Sequence, residues 1–457
     1  MKDSKIIFIS IFEGVEAKNL LRTPVLKTLL SDENVKIILF TKTKEKAEYY
    51  KKSFNDPRIE YEVVEKRTMR GIDSLFSKLK FLLLDSKTID LKRRMLFAED
   101  RNFLKYYFGK LAKKVFSKKI IRKLVRYLDF YLVKDRTYKQ FFDKYNPSLV
   151  FLAHLFDDPE IHLLREAKRR KIISVGFVNS WDKVTSRSIL RLLPDKIIVF
   201  NKIVKQEVFE YADMKKKDIF VSGIPQYDLF FSDRTIDRDS FMGKYGLSAN
   251  DKLIVYASMG KAFSDSDWDI IDLLTASEKD GLLPSNTKLL VRFQPNDFVD
   301  EGEIKKRPSL RYDYPGIRFS QKRGVDWDMD ESDLNHLRNT LAHMDLLVTY
   351  ASSISIDAAI FDKPVININF EINKKSSLLK SPTQYYSSGH YKKALDAGGI
   401  KMAKNERDLL ESINKYIGDP SLEREGRRRL VKEQCEFTDG RSGERIGNFV
   451  LDLLYGK

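Results

Sequence analysis

Short apolar runs alternate with stretches of helical periodicity along most of the chain. Lys5-Ile-Ile-Phe-Ile-Ser-Ile11 is almost continuously hydrophobic, the pattern of a parallel strand buried on both faces. Similar runs stand at Val35–Phe40, Ile59–Val64, Ser148–His154, Ile172–Val178, Lys196–Phe200 and Asp218–Ser222. Helical stretches fall between them, over Ala17–Leu30, Thr43–Phe54, Glu160–Lys168 and from Phe200 to about Tyr211. Pro24 is expected to break or restart the first helix, and Pro159 suits a helix start. A second series opens with Lys252–Ala257. It continues through Lys288–Phe293, a short strand near Gly316–Ser320, Leu346–Tyr350 and Val365–Ile368, with helices over Asn335–Met344, Ile356–Phe361 and Glu406–Ile417. This alternation predicts two doubly wound α/β domains.

The rhythm stops between residues 65 and 145. Aromatic and aliphatic residues recur there every three or four positions among lysines, as in Leu111-Ala-Lys-Lys-Val-Phe-Ser-Lys-Lys-Ile-Ile-Arg-Lys-Leu-Val-Arg-Tyr127. Residues 65–144 hold 23 Lys/Arg against 9 Asp/Glu, a net +14 of the chain's formal +17. This is the pattern of basic amphipathic helices, which cover a sheet or lie on an anionic membrane. No recognised motif points to nucleic acid. The expected domains are 1–232, with a helical insertion at about 65–145, then 249–420, and 421–457 as helices that cross back to the first domain. The single cysteine, Cys435, leaves no intrachain disulfide and no cysteine metal site. No run reaches the roughly 18 apolar residues of a membrane span. A cytoplasmic location, or a peripheral one on the inner face of the membrane, is the expectation.

Candidate chemistry collects at strand ends. In an open parallel sheet the carboxyl ends line one crevice. Glu13 follows the first strand. His154, Asp157 and Asp158 follow the fourth, and Asp182 follows the fifth. These five are the catalytic candidates, with no choice made among them. In the second series, Asp345-Leu-Leu-Val-Thr-Tyr-Ala-Ser-Ser-Ile-Ser-Ile-Asp357 reads as strand, serine turn and helix. Free N–H groups and hydroxyls at such a place suit a phosphate, although a serine at a helix start is also an ordinary cap. Ser258, Gly260 and Lys261 follow the strand at 252–257, and Arg292 and Gln294 end the next. With Tyr350, Ser352, Ser353 and Asp357 they make the expected phosphate and nucleotide site, Asp357 reaching a ribose hydroxyl. The dinucleotide fingerprint G-x-G-x-x-G is absent. Asp265-Ser-Asp267 has a metal-motif spacing but reads as loop and helix cap, so no metal and no cofactor are expected.

Three motifs carry a resemblance. Ser352-Ser-Ile-Ser-Ile-Asp357, followed by Lys363-Pro-Val365, resembles the Ser-Ser-x-x-x-Asp element of the CDP-glycerol glycerophosphotransferases. Asp439-Gly-Arg-Ser-Gly-Glu-Arg-Ile446 is similar to their C-terminal ending, and Gly223-Ile-Pro-Gln-Tyr-Asp228 to their Gly-x-Pro-x-x-Asp junction. The resemblance implies the GT-B architecture, two Rossmann-like doubly wound domains with an inter-domain cleft, shared with nucleotide-sugar glycosyltransferases and 2-epimerases. It implies a nucleotide-activated donor and an acceptor that is a surface glycan or its lipid-linked precursor. One departure stands out. Arg292-Phe-Gln-Pro295 has glutamine where that family has histidine. Glutamine carries neither proton nor charge, which favours transfer of a sugar from a nucleotide-sugar over transfer of a polyol phosphate. The alternatives are the CDP-glycerol-type transferase and a non-catalytic nucleotide-binding protein of GT-B shape.

Overall fold

The computed structural model describes residues 4–65, 68–232, 235–319, 327–373 and 377–456. The chain divides into two compact units. The first comprises the chain up to Arg93, Asn102–Phe231, and the chain from Cys435 onward; the second comprises Arg94–Arg101 and Ser232–Gln434.

The first unit is built on seven strands: β1 (Lys5–Ser10), β2 (Val35–Thr41), β3 (Ile59–Val63), β4 (Leu149–Leu152), β5 (Ile173–Phe177), β6 (Lys196–Val199) and β7 (Ile219–Val221). They form one parallel sheet in the order β3-β2-β1-β4-β5-β6-β7. The uninterrupted apolar runs have their cause here, since Ile7, Phe8, Ile37, Ile38, Val150 and Phe151 are all buried between helical layers. Phe8 meets Phe40 and Phe142 edge-on, each at 5.0 Å between ring centroids. Pro24 does restart the first helix. A helix over Gly14–Leu20 gives way to one over Pro24–Leu29, whose Thr23 side chain accepts from the Val25 N–H.

The second unit holds β8 (Lys252–Ala257), β9 (Thr287–Arg292), β10 (Tyr312–Asp313), β11 (Ile317–Arg318), β12 (Trp327–Asp328), β13 (Leu346–Thr349), β14 (Val365–Ile368) and β15 (Lys401–Ala403). Six of them make a parallel sheet, β10-β9-β8-β13-β14-β15, and β11 pairs with β12 antiparallel. The strand expected near Gly316–Ser320 is β11; Ser320 lies outside the described residues. β10, β12 and β15 have two or three residues each and no apolar run, so hydrophobic patterning does not mark them.

The last helix, Ser442–Leu454, belongs to the first unit. Its Gly447 approaches Thr28 so closely that a Cβ there would lie 2.5 Å from the Thr28 Cβ, and a Cβ on Gly443 would lie 3.0 Å from Pro24. Asp228 fixes the start of this helix, accepting from the N–H groups of Ser442 (2.9 Å) and Gly443 (2.7 Å). Gly223, at φ +86°, admits the Ser442 hydroxyl where any side chain would collide with it. Two of the three motifs behind the resemblance, 223–228 and 439–446, therefore meet as architecture.

The basic segment forms helices over Gly71–Leu82, Lys87–Asp100, Phe103–Phe116 and Lys119–Leu132. The helix Lys119–Leu132 is inverted. Arg122, Arg126 and Asp129 are buried, while Ile120 (76% exposed), Leu124, Tyr127 and Tyr131 face outward. The buried charges are paired. Arg122 and Arg126 each lie 2.6 Å from Asp213, and Asp129 receives Arg165 (2.6 Å) and Arg191 (2.7 Å). In the helix Phe103–Phe116 only the small Gly109 and Ala112 are buried, and Leu104 is 87% exposed with Phe103, Tyr107, Phe108 and Leu111 beside it.

Candidate functional site

Each parallel sheet has one point where the chain reverses its direction of strand addition. It lies between β1 and β4 in the first unit and between β8 and β13 in the second. The crevice beyond the carboxyl ends of such a strand pair is where open α/β sheets bind ligands.

In the first unit, the loop after β1 leads into the helix Gly14–Leu20 with Glu13 at its N-cap. Glu16 closes a capping box. Its Oε2 accepts from the N–H groups of Phe12 and Glu13, and its Oε1 has no partner. Glu13 pairs with Lys42 at 3.7 Å. Across the reversal point, the Ala153 N–H donates to Ser10 Oγ at 3.2 Å, and Asn179 Nδ2 donates to the Ala153 carbonyl at 2.8 Å. Asn179 Oδ1 accepts from Lys183 Nζ at 2.7 Å. His154 is fully buried; its Nδ1 accepts from the Phe156 N–H (3.2 Å) and lies 3.8 Å from Asp157 Oδ2. Glu160, in the first turn of the helix Asp158–Arg169, is buried with both oxygens unpartnered.

Burial governs the titration of these groups. It pushes the Glu16 carboxyl up to about 8, helped by the charge of Glu13. It raises Glu160 as well, with Glu16 and Asp157 adding repulsion. Desolvation lowers His154, and Lys183 and other nearby cations lower it further. Lys183 is itself depressed by burial.

Of the five catalytic candidates, Glu13, His154 and Asp157 gather at this point. Asp158 turns away, to Arg191 (3.0 Å), Lys80 (3.3 Å) and Ser77, and serves the packing of the helical segment. Asp182 is occupied locally, accepting from the hydroxyls of Ser180 and Ser186 at the start of the short helix Lys183–Ser186. Both depart from the expectation for one reason: a carboxylate beside an arginine or at a helix start is held by those neighbours. Glu16, Glu160, Lys42 and Lys183 are additions that the sequence did not single out. The capping-box spacing of Glu13 and Glu16 was the one available signal.

The second unit's reversal point is made mostly of neutral groups. Thr349 Oγ1 donates to the Ala257 carbonyl at 2.8 Å and ties β13 to β8. Ser258 follows β8 and is buried, its hydroxyl without a partner. The next turn is fixed by Asp267, which accepts from Tyr256 Oη (2.6 Å), the Met259 N–H (3.0 Å) and the Gly260 N–H (2.8 Å). Burial raises the Asp267 carboxyl to about 6 against these bonds. Gly260 has φ +79°, and a Cβ there would lie 2.4 Å from Asp297 Oδ2 and 3.2 Å from Gln294 Oε1. The Lys261 N–H donates to Asp297 Oδ2 at 2.7 Å, and the Lys261 side chain is exposed. A cavity of about 220 Å³ opens here, with Ser258, Gly260, Lys261, Trp268 and Asp297 in its wall.

After β13, Tyr350 is buried and donates to the Phe370 carbonyl at 3.2 Å, so it supports the turn from behind. Ser352 is half-buried and Ser353, at the N-cap of the helix Ile354–Ile360, is exposed with no side-chain capping bond. Asp357 lies in the first turn of that helix. Beneath them runs a buried network: Tyr391 Oη lies 3.0 Å from Ser355 Oγ, accepts from Asn367 Nδ2 at 2.5 Å and lies 3.4 Å from the Ser352 carbonyl. Arg292 departs from its expected part. It is buried and held by Asp313 (3.3 Å), which also binds His336 (2.9 Å) and Tyr245 (2.6 Å). Burial raises Asp313, but His336, Arg292 and Tyr245 together hold it below the usual carboxylate range. Gln294, half-buried, stays beside Gly260.

Comparison with known proteins places this geometry. Residues 310–452 match the family model described as CDP-glycerol:poly(glycerophosphate) glycerophosphotransferase. No curated protein is significantly similar to the chain in sequence. Solved structures resemble it over nearly their whole length. The Staphylococcus aureus MnaA–UDP co-structure superposes with a TM-score of 0.55 at 13% identity, covering 99% of this chain and 97% of that one. The UDP-GlcNAc 2-epimerase of Neisseria meningitidis bound to UDP-GlcNAc gives 0.55 at 11% identity, covering 98% and 100%. The wall teichoic acid polymerase TagF with CDPG gives 0.51 at 13%, covering 100% and 90%. The fold is GT-B, two Rossmann-like α/β units.

Proposed function

We propose that the protein is a transferase of cell-envelope polymer synthesis that moves a sugar from a nucleotide-activated donor to a glycan or lipid-linked acceptor. The observation that carries this reading is a coincidence of place. The family match covers residues 310–452, and within it the serine turn 350–353 stands at the reversal point of the second unit's sheet. On this reading the second unit holds the donor. Ser258, Ser352 and Ser353 meet the phosphates, with the exposed Lys261 as the cation and Asp357 near the ribose. The first unit takes the acceptor, whose hydroxyl loses its proton to Glu13 or Asp157. Gln294, a neutral amide beside Gly260, favours the sugar over a polyol phosphate. The matched family supports the second reading, CDP-glycerol-type polyol-phosphate transfer.

A thermal-shift panel of UDP, GDP, CDP, CMP and TDP tests the donor site. Binding to the native state raises the melting temperature by mass action. One diphosphate is expected to stabilise the protein, and Ser352→Ala/Ser353→Ala to abolish the shift. CDP alone as the hit would turn the reading to polyol-phosphate transfer. A shift untouched by the double variant would remove these serines from the site, and a flat panel would favour a non-catalytic protein.

The reading includes a membrane surface. Among the described residues no helix is long and apolar enough to cross a bilayer. The helices Phe103–Phe116 and Lys119–Leu132 instead bury small or charged residues and turn Leu104, Leu111, Ile120 and Leu124 outward among lysines. Apolar side chains interleaved with cations fit the headgroup zone of an anionic bilayer. Binding to phosphatidylglycerol vesicles is expected to weaken with salt and with Leu104→Glu/Ile120→Glu. Equal binding to neutral vesicles, or none to either, would remove the membrane from the proposal.

A further inference from the structure

We infer that the first unit carries a binding site for a divalent transition cation of the zinc, cobalt or manganese class, ligated by Glu16, His154 and Glu160. One ligand atom from each of the three lies within 4.8 Å of the other two, and all three residues are buried. The second observation is independent of that proximity. Among the described residues, Glu16 Oε1, His154 Nε2 and both oxygens of Glu160 are buried polar atoms with no hydrogen-bond partner. A buried unsatisfied polar atom costs about 1–3 kcal/mol, more when charged, so four around one point call for a shared partner.

The chemistry of the donors selects that partner. An imidazole nitrogen with two carboxylates suits zinc-class ions, whereas calcium and magnesium take oxygen ligands almost alone. Metal–ligand bonds of about 2.0–2.2 Å place tetrahedral donors roughly 3.4 Å apart. Ion binding closes the present spacing, within 4.8 Å, to that value. Three protein ligands leave a fourth position open, as catalytic rather than structural zinc sites do.

The surroundings support the assignment. Metal-ligating histidines give their other ring proton to an oxygen acceptor. Ligation through Nε2 requires His154 Nδ1 to give up the bond it accepts from the Phe156 N–H at 3.2 Å and to carry a proton towards Asp157 Oδ2, now at 3.8 Å. Glu16 is held by its second oxygen in the capping box, so its orientation is set before any ion arrives. The nearby cations have other partners: Lys42 pairs with Glu13, and Lys183 donates to Asn179. The site stands at the reversal point between β1 and β4, where an acceptor hydroxyl would meet it. The metal-free expectation came from the donor side and the lack of an Asp-x-Asp motif; the three ligands here come from the first turns of two helices and the loop after β4, and make no sequence motif.

The test does not depend on the transferase reading. Full-length protein, dialysed against chelator, is titrated with Co²⁺ and followed by visible d–d absorption, with no nucleotide present. One equivalent of Co²⁺ is expected to bind, to give the intense bands of a low-coordinate site with a nitrogen ligand, and to be displaced by Zn²⁺. Glu160→Gln and His154→Gln are expected to weaken binding by about 100-fold or more, since outer-shell changes alone cost about 10–100-fold. Glu160→Gln keeps the shape of the side chain and removes a buried charge, so its melting temperature serves as the control for folding. Absence of the Co²⁺ bands, or bands that survive both variants unchanged, would overturn the proposal.

Discussion

The two reversal points share a topology and differ in substance. Between β1 and β4 the first unit packs Glu13, Glu16, Glu160, His154, Lys42 and Lys183. Between β8 and β13 the second unit offers Ser258, Thr349, Ser352, Ser353 and a hidden Ser355–Asn367–Tyr391 network. Charge in a low-dielectric site moves protons and holds ions. Neutral hydroxyls and backbone N–H groups grip a ligand without changing charge state. The contrast shows one sheet topology carrying two different sets of side chains at its reversal point.

Four measurements would break or sharpen this contrast. Asp267→Ala should have the largest effect, because Tyr256 Oη and two N–H groups lose a buried acceptor together. A loss of about 3–5 kcal/mol is expected, read in urea as early unfolding of the environment of Trp268. Asn179→Leu should cost the first unit about 2–4 kcal/mol, because it leaves the Lys183 ammonium and the Ala153 carbonyl unsatisfied; the signal of Trp181 should shift while that of Trp268 does not. Equal shifts at both tryptophans would show that the units do not respond separately. Tyr391→Phe should cost about 1–2 kcal/mol and weaken nucleotide binding, since Asn367 Nδ2 loses its acceptor beneath the serine turn. The fourth measurement varies pH. The Asp267 carboxyl, raised by burial from 3.8 to about 6, contributes stability that is full below about pH 4 and is lost as pH rises through 6. Urea midpoints between pH 4 and 7 should show this decline in the second unit, and Asp267→Asn should flatten it.

The sequence revealed the sheets far better than the sites. Strands such as Lys5–Ser10 and Lys252–Ala257 announce themselves because both faces are buried and every position is apolar. β10 and β15 stay silent because two or three residues at a sheet's edge carry no pattern. The rims were legible as strand ends, but the direction of each side chain was not. Asp158 and Arg292 stand at strand ends and look alike on paper to Asp157 and Lys261. Arg191 and Asp313, distant in sequence, turn the first two inward. Glu160 was hidden for the opposite reason. A glutamate in the first turn of a helix is commonplace, and only the fold puts it against Glu16 and His154.

The ownership of the last helix bears on how the protein is made. The first unit needs the segment from Cys435 onward, yet about 200 residues of the second unit are translated between Phe231 and Cys435. At about 5–20 residues per second that interval lasts on the order of 10–40 s. Throughout it the surface of Pro24, Val25 and Thr28 lacks the glycine-bearing helix that covers it, and Asp228 lacks the two N–H groups it binds. The half of the protein that leaves the ribosome first is thus the last to be completed.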